Sequence, residues 1–162
     1  MNKIIKNREI IEDGGHVVNT DCEIADLPEG NIIVPLRLWQ NHHAVLRERP
    51  SKLGVSLAPD EEPAQLGDDL HNLALIAIDF PNFADGRGYS SARELRTHFK
   101  FQGEIRATGD VLRDQLFLME RCGFDSFALR SDRSVEKALT AFDDFSVNYQ
   151  GDAQEARPLF RR

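Results

Sequence analysis

Between residues 79 and 114 the chain concentrates side chains that could hold an anion. Asp79 closes an apolar run, and the following loop reads Asp85-Gly86-Arg87-Gly88-Tyr89-Ser90-Ser91. Paired glycines let backbone amides turn toward a ligand, an arginine offers a planar fork to an oxyanion, and serines add hydroxyls beside a helix start. A second group follows at Arg106, Thr108, Asp110, Arg113 and Asp114. These residues predict a site for a small oxyanion or a phosphate-bearing ligand, with Arg87, Arg106 and Arg113 as clamps and Asp85, Gly86, Gly88, Tyr89 and Ser90 around it. If a reaction follows, Asp79 or Asp110 is the acid or base, because burial lifts a carboxyl toward the range where it exchanges protons. The competing arrangement is structural, with Arg87 paired to Asp79 and Arg106 paired to Asp79 or Asp110.

Sharper motifs are missing. "GRGYSS" lacks the third glycine of a dinucleotide fingerprint and lies five residues beyond the strand end, where that fingerprint turns at once. No Gly-Lys-Ser/Thr occurs, and the five histidines have no metal-site spacing, so no metal is expected and the cofactor stays unknown. Cys122 falls at a helix C-terminus, where the dipole raises a thiol pKa.

The elements that must position these residues follow from periodicity. Short apolar runs at 31–36, 52–58 and 73–80, the alternating "EIRAT" at 104–108, and "FDSFAL" at 124–129 read as strands. Helical patterns lie between them: 37–49, a stretch opened by Pro59 and its acids, a helix started by the Ser91/Glu94 capping box, another with Asp110 as N-cap and Gly123 past its end, and a last one over 134–145. The alternation predicts an α/β fold of about five βα units on a mainly parallel sheet, half-barrel-like or open. Arg106 on a strand favours the curved form, because an open sheet covered on both faces would bury it. Residues 1–30 read as a hairpin arm turning at Asp13-Gly14-Gly15, residues 31–149 as the core of a single 1–162 domain, and 150–162 as a tail.

The net charge of −7 opposes nonspecific nucleic-acid binding, and no apolar run approaches the length of ~20 residues that spans a bilayer. From Asp85 to Arg106, however, five basic residues face three acids, a local excess suited to a small anion. Two cysteines a hundred residues apart and no secretory leader predict reduced thiols in the cytoplasm.

The segments "LALIAIDFPNFADGRGYSSARELR", "GEIRATGDVLRDQLFLMERCGFDSFAL" and "ALTAFDDFSVNYQ" closely resemble a bacterial family, domain of unknown function 934, and the resemblance runs from the "IIKNREIIEDG" arm to "PLFRR". Asp79, Asp85 to Tyr89, Arg106, Asp110 and Arg113 fall on its characteristic segments. The resemblance implies a context of assimilatory sulfite reduction, with family members labelled oxidoreductases by genomic association. Two separated cysteines cannot ligate the iron–sulfur cluster of a sulfite reductase catalytic subunit. The remaining expectations are a ligand-binding protein of that pathway or a non-catalytic accessory that docks a sulfite reductase subunit, with a homo-oligomer left open.

Overall fold

Eight strands and four α-helices form the described residues, 2–146 and 150–161 of the computed structural model. The expected boundary between core and tail at 149/150 falls partly outside them. β1 (Asn2–Lys6) and β2 (Glu9–Asp13) make an antiparallel hairpin. Its reversal lies at Asn7 and Arg8, with φ of 50° and 64°, the left-handed values a two-residue hairpin loop requires. Asp13-Gly14-Gly15, the expected turn, instead carries the chain onward into β3 (His16–Val17). β4 (Ile32–Pro35), β5 (Leu53–Leu57), β6 (Leu75–Phe80), β7 (Glu104–Gly109) and β8 (Ser126–Phe127) follow, with α1 (Leu36–Leu46), α2 (Arg87–Thr97), α3 (Arg113–Cys122) and α4 (Val135–Leu139) after β4, β6, β7 and β8.

The strand order is β2-β1-β8-β7-β6-β5-β4-β3. Pairing is parallel from β3 to β8, while β1 is antiparallel to both β8 and β2. The sheet is therefore mixed rather than mainly parallel, because the amino-terminal arm is built into it: Ile5 sits opposite Phe127 and Lys6 opposite Ser126. The expectation of about five βα units also needs correction. β5 leads only into 3-10 turns at Pro63–Leu66 and Asp68–Asn72, where Pro63 and Gly67 (φ 73°) interrupt any longer helix.

The curvature favoured by Arg106 is present, and the connection between the two sheet edges shows its extent. Eight flat strands would set those edges about 33 Å apart, yet Asp13 on one edge and His16 on the other are three virtual bonds apart, at most about 11 Å. Two antiparallel steps make β2 co-directional with β3, so Gly14 and Gly15 join successive stretches of one extended chain. The sheet curls until this chain bridges its edges, enclosing an inner face.

The outer face bears the main core: Ile32, Val34, Val55, Leu57, Ile76, Ile78, Phe80, Ile105, Ala107 and Phe127 pack with Trp39, Leu95, Leu116 and Met119 of the helices. The alternate positions point inward, where Ile33, Leu75 and Ala77 form a small apolar cluster. Side chains there are short at Gly54, Ser56, Ala77 and Ser126, which leaves room for longer ones from β1 and β7. No helix among the described residues is long and apolar enough to cross a membrane.

Two expected helix starts shift. α2 begins at Arg87, so Ser91 lies inside it, and the Asp85 carboxylate accepts the Arg87 N–H at 3.1 Å. α3 begins at Arg113, so Asp110 is not its cap; the Gln115 side chain accepts the Leu112 N–H instead. Gly123, with φ of 120°, ends α3 as expected.

Candidate functional site

On β7, Glu104, Arg106 and Thr108 face inward beside Leu75, Ala77 and Asp79 of β6. The Arg106 side chain is only 7% exposed and has two carboxylates: Glu104 Oε1 lies 2.8 Å from Nη2, and Asp13 Oδ2 lies 2.9 Å from Nη1. Lys6, entering from β1, places Nζ 2.6 Å from Glu104 Oε2. Burial by itself raises the Glu104 carboxyl, but Lys6, Arg106 and the Ser126 hydroxyl together outweigh it and hold the group below the usual glutamate range. Arg106 thus pairs with Glu104 and Asp13, not with Asp79 or Asp110. Glu104 was near enough in sequence to suspect, since alternation puts i and i+2 on one face. Asp13 was not, because 93 residues separate it from Arg106.

Asp79 is the other notable inward group. It is half-buried with no cationic partner among the described residues; burial raises its pKa, and the neighbouring Thr108 side chain opposes that only partly. A raised native pKa means that the folded chain holds this proton more tightly than the unfolded chain. Its contribution to stability therefore falls as pH rises from about the ordinary value of 3.8 through the native pKa. Asp79→Asn will raise Tm at pH 7, and the gain will shrink as the pH is lowered toward 3.8, measurable by calorimetry across that range.

The other expected residues lie around the carboxyl ends of the strands without converging. Arg87 is exposed, and both of its ion-pairing bonds go to Asp85, at 3.0 and 2.6 Å. Gly88 lies inside α2, where a Cβ would come 2.6 Å from Phe80 Cζ, so its smallness seats the helix on β6 rather than shaping a loop. Tyr89 packs edge-on to Phe80 at 5.4 Å, while Gly86 and Ser90 are exposed. Arg113 turns away to Asp144, at 3.0 and 2.9 Å, and to Thr140. Asp110 ties two loops together, accepting from Arg130 Nη1 at 3.0 Å and from the Phe83 N–H at 3.1 Å. The three arginines therefore occupy separate places: Arg106 inside the curled sheet, Arg87 and Arg113 on its outer rim.

Two openings meet at the Asp13–Arg106 pair. Toward the amino ends of the strands lies a cavity of about 280 Å³ between the arm and the sheet, walled by Ile11, Ile33 and Leu75 and by Lys6, Glu104 and Arg106. Toward the carboxyl ends lies a wider trough of about 610 Å³, bordered by Thr108, Arg130, Ser131 and Ser134. Asp13, Ile33 and Arg106 border both, so the ion pair stands as a partition between them.

Arg96 is a second structural arginine. It donates to the carbonyls of Gly123, Phe101 and Gly103 and to the Asp125 carboxylate, fastening α2 to the loops around β7. Cys122 is half-buried, and burial pushes its thiol up, opposite to what a nucleophile needs.

The model of a family of bacterial proteins of unknown function, domain of unknown function 934, matches residues 54–160. The chain belongs to this family. The match spans Asp79, the 85–90 loop, Glu104, Arg106, Asp110 and Arg113, whereas Lys6 and Asp13 of the arm lie before it. No curated protein and no solved structure matches the chain. The matched residues thus include Glu104 and Arg106 of the inner cluster, and the arm supplies Lys6 and Asp13.

Proposed function

We propose that the protein binds a small oxyanion, free or carried by a phosphate-bearing metabolite, on the inner face at β6 and β7, and that it serves assimilatory sulfite reduction in the cytoplasm. The observation that carries this reading is the buried Arg106 guanidinium, one of whose two carboxylate partners, Asp13, is brought in by the amino-terminal arm. An oxyanion offers Arg106 the same acceptor oxygens as a carboxylate, so it can replace Asp13 without leaving a buried charge unpaired. Asp79 lies on the same face near the carboxyl end of β6, with its pKa raised and no cationic partner among the described residues, and is the candidate acid or base if a reaction follows. The link to sulfite reduction rests on the context that the family resemblance implies. Thermal melts with sulfite, sulfate and phosphate test the reading: a ligand at 100 times its Kd stabilises by ~2.7 kcal/mol. Arg106→Lys will weaken that shift, because an ammonium lacks the fork, and Arg87→Ala will keep it. Absence of any shift with all three anions overturns the reading.

A second reading, docking of a sulfite reductase subunit, is favoured by Phe83. Its ring is 65% exposed, yet its N–H is held by Asp110 and its carbonyl by Gln115 at 2.9 Å, so an apolar anchor is presented on a fixed backbone. Phe83→Ser will then reduce binding to immobilised reductase subunit without lowering Tm. Self-association by the same face would appear instead as a Phe83-dependent dimer in sedimentation.

A further inference from the structure

We propose that the ligand of the inner face is an organic anion with a short apolar body, whose head takes Asp13's place on Arg106 and whose body fills the cavity beneath the arm. This rests on the oxyanion reading and specifies its substrate class. The cavity's composition carries the argument. Lys6, Glu104, Arg106 and Asp13 form a chain of ion pairs in its lining, Glu12, Asn31 and Lys52 add further polar groups, and Ile11, Ile33 and Leu75 supply an apolar part of the wall. A bare inorganic anion would use the charged groups and leave the apolar part of the wall facing water. A volume of about 280 Å³ exceeds what sulfite or phosphate needs and approaches the lower limit of small-molecule sites.

The arm supplies the means of entry. Asp13 is the last residue of β2 and is followed by Gly14 and Gly15, and Gly14 has no atom within 4 Å of where a Cβ would stand. The chain at this point carries no packed side chain, so Asp13 can leave Arg106 by local rotation while β1 keeps its pairing to β8. Ile11, on the same strand and 37% exposed, lines the cavity. Release of Asp13 removes the partition between the amino-end cavity and the carboxyl-end trough, and an entering anion restores the charge balance that Asp13 gave up. The exchange is noncovalent: one carboxylate leaves the guanidinium as another oxyanion arrives, and Glu104 stays in place throughout.

Titration calorimetry of the full chain with sulfate, methanesulfonate and butanesulfonate at neutral pH tests this. A methylene moved from water to an apolar wall is worth about fourfold in affinity, so butanesulfonate should bind at least about tenfold tighter than methanesulfonate. Asp13→Asn removes the internal competitor while keeping an acceptor for the Gly15 N–H, and should tighten all three probes. Ile11→Ser changes a partly exposed residue and should erase most of the chain-length gain while leaving sulfate binding unchanged. Equal affinities for the three probes in the wild-type chain and in Ile11→Ser, with all tightened by Asp13→Asn, would overturn the organic-body proposal and leave the oxyanion reading standing. No binding of any probe to folded Asp13→Asn overturns both. Binding that is indifferent to Asp13→Asn but lost in Arg106→Lys overturns the displacement step.

Discussion

Gly109→Ala will destabilise the protein by about 3 kcal/mol or more, through the combined cost of a left-handed backbone for a residue with a Cβ and of steric overlap in a packed site. Gly109 ends β7 with φ of 87°. A Cβ there would overlap the Phe80 carbonyl oxygen of the neighbouring strand and lie 2.7 Å from Asp79 Oδ1. The first contact is with backbone, which cannot rotate away. That same carbonyl accepts the Asp110 N–H at 2.7 Å, so relief by separating the strands breaks a ladder-end hydrogen bond as well. Urea denaturation gives the size of the loss. The substitution should also displace Asp79, so in a variant stabilised elsewhere the pH dependence assigned to that carboxyl should diminish.

Arg106→Met will cost about 3–5 kcal/mol, the loss expected when one member of a buried ion pair is removed and its partners remain charged. Methionine can follow the aliphatic stem of arginine, so the loss is electrostatic more than steric. Asp13 would face the interior with no cation, and Glu104 would keep only Lys6. Denaturant midpoints measure this, and the double variant Arg106→Met/Asp13→Leu should recover a large part of it by removing the stranded carboxylate. The pH dependence adds a second test. Glu104 has a native pKa depressed below the ordinary 4.5, so its stabilising contribution is present above that value and is lost as pH falls through the native pKa. Without Arg106 the native pKa rises, and acid destabilisation should begin at a higher pH than in the wild type.

These two residues show unequal degrees of legibility. That Arg106 lies on a curved sheet could be argued from "EIRAT", because alternation sets its face, but the burial that curvature was expected to spare it is present, and two carboxylates offset it. Those partners could not be argued in that way. Glu104 competes in the sequence with Asp79 and Asp110, and Asp13 is brought in by a crossing of the sheet edges that no local pattern encodes. The Asp85-Gly-Arg-Gly loop misled for a related reason. Glycines, an arginine and serines in a row have the composition of an anion cradle, yet Gly88 serves helix-to-strand contact with Phe80 and Ile78, and Arg87 is neutralised two residues away by Asp85.

The sequence by itself determined the family, the strands from 32 to 127, the alternation along β7 and the end of α3 at Gly123, because side-chain periodicity and left-handed glycine are local properties. The tertiary structure decided the rest. The placement of β1 between β8 and β2, the bridging of the sheet edges through Gly14 and Gly15, and the meeting of Asp13 with Arg106 depend on how strongly an eight-stranded sheet curls. That curl is set by the summed twist and packing of all its strands, a quantity no single segment carries.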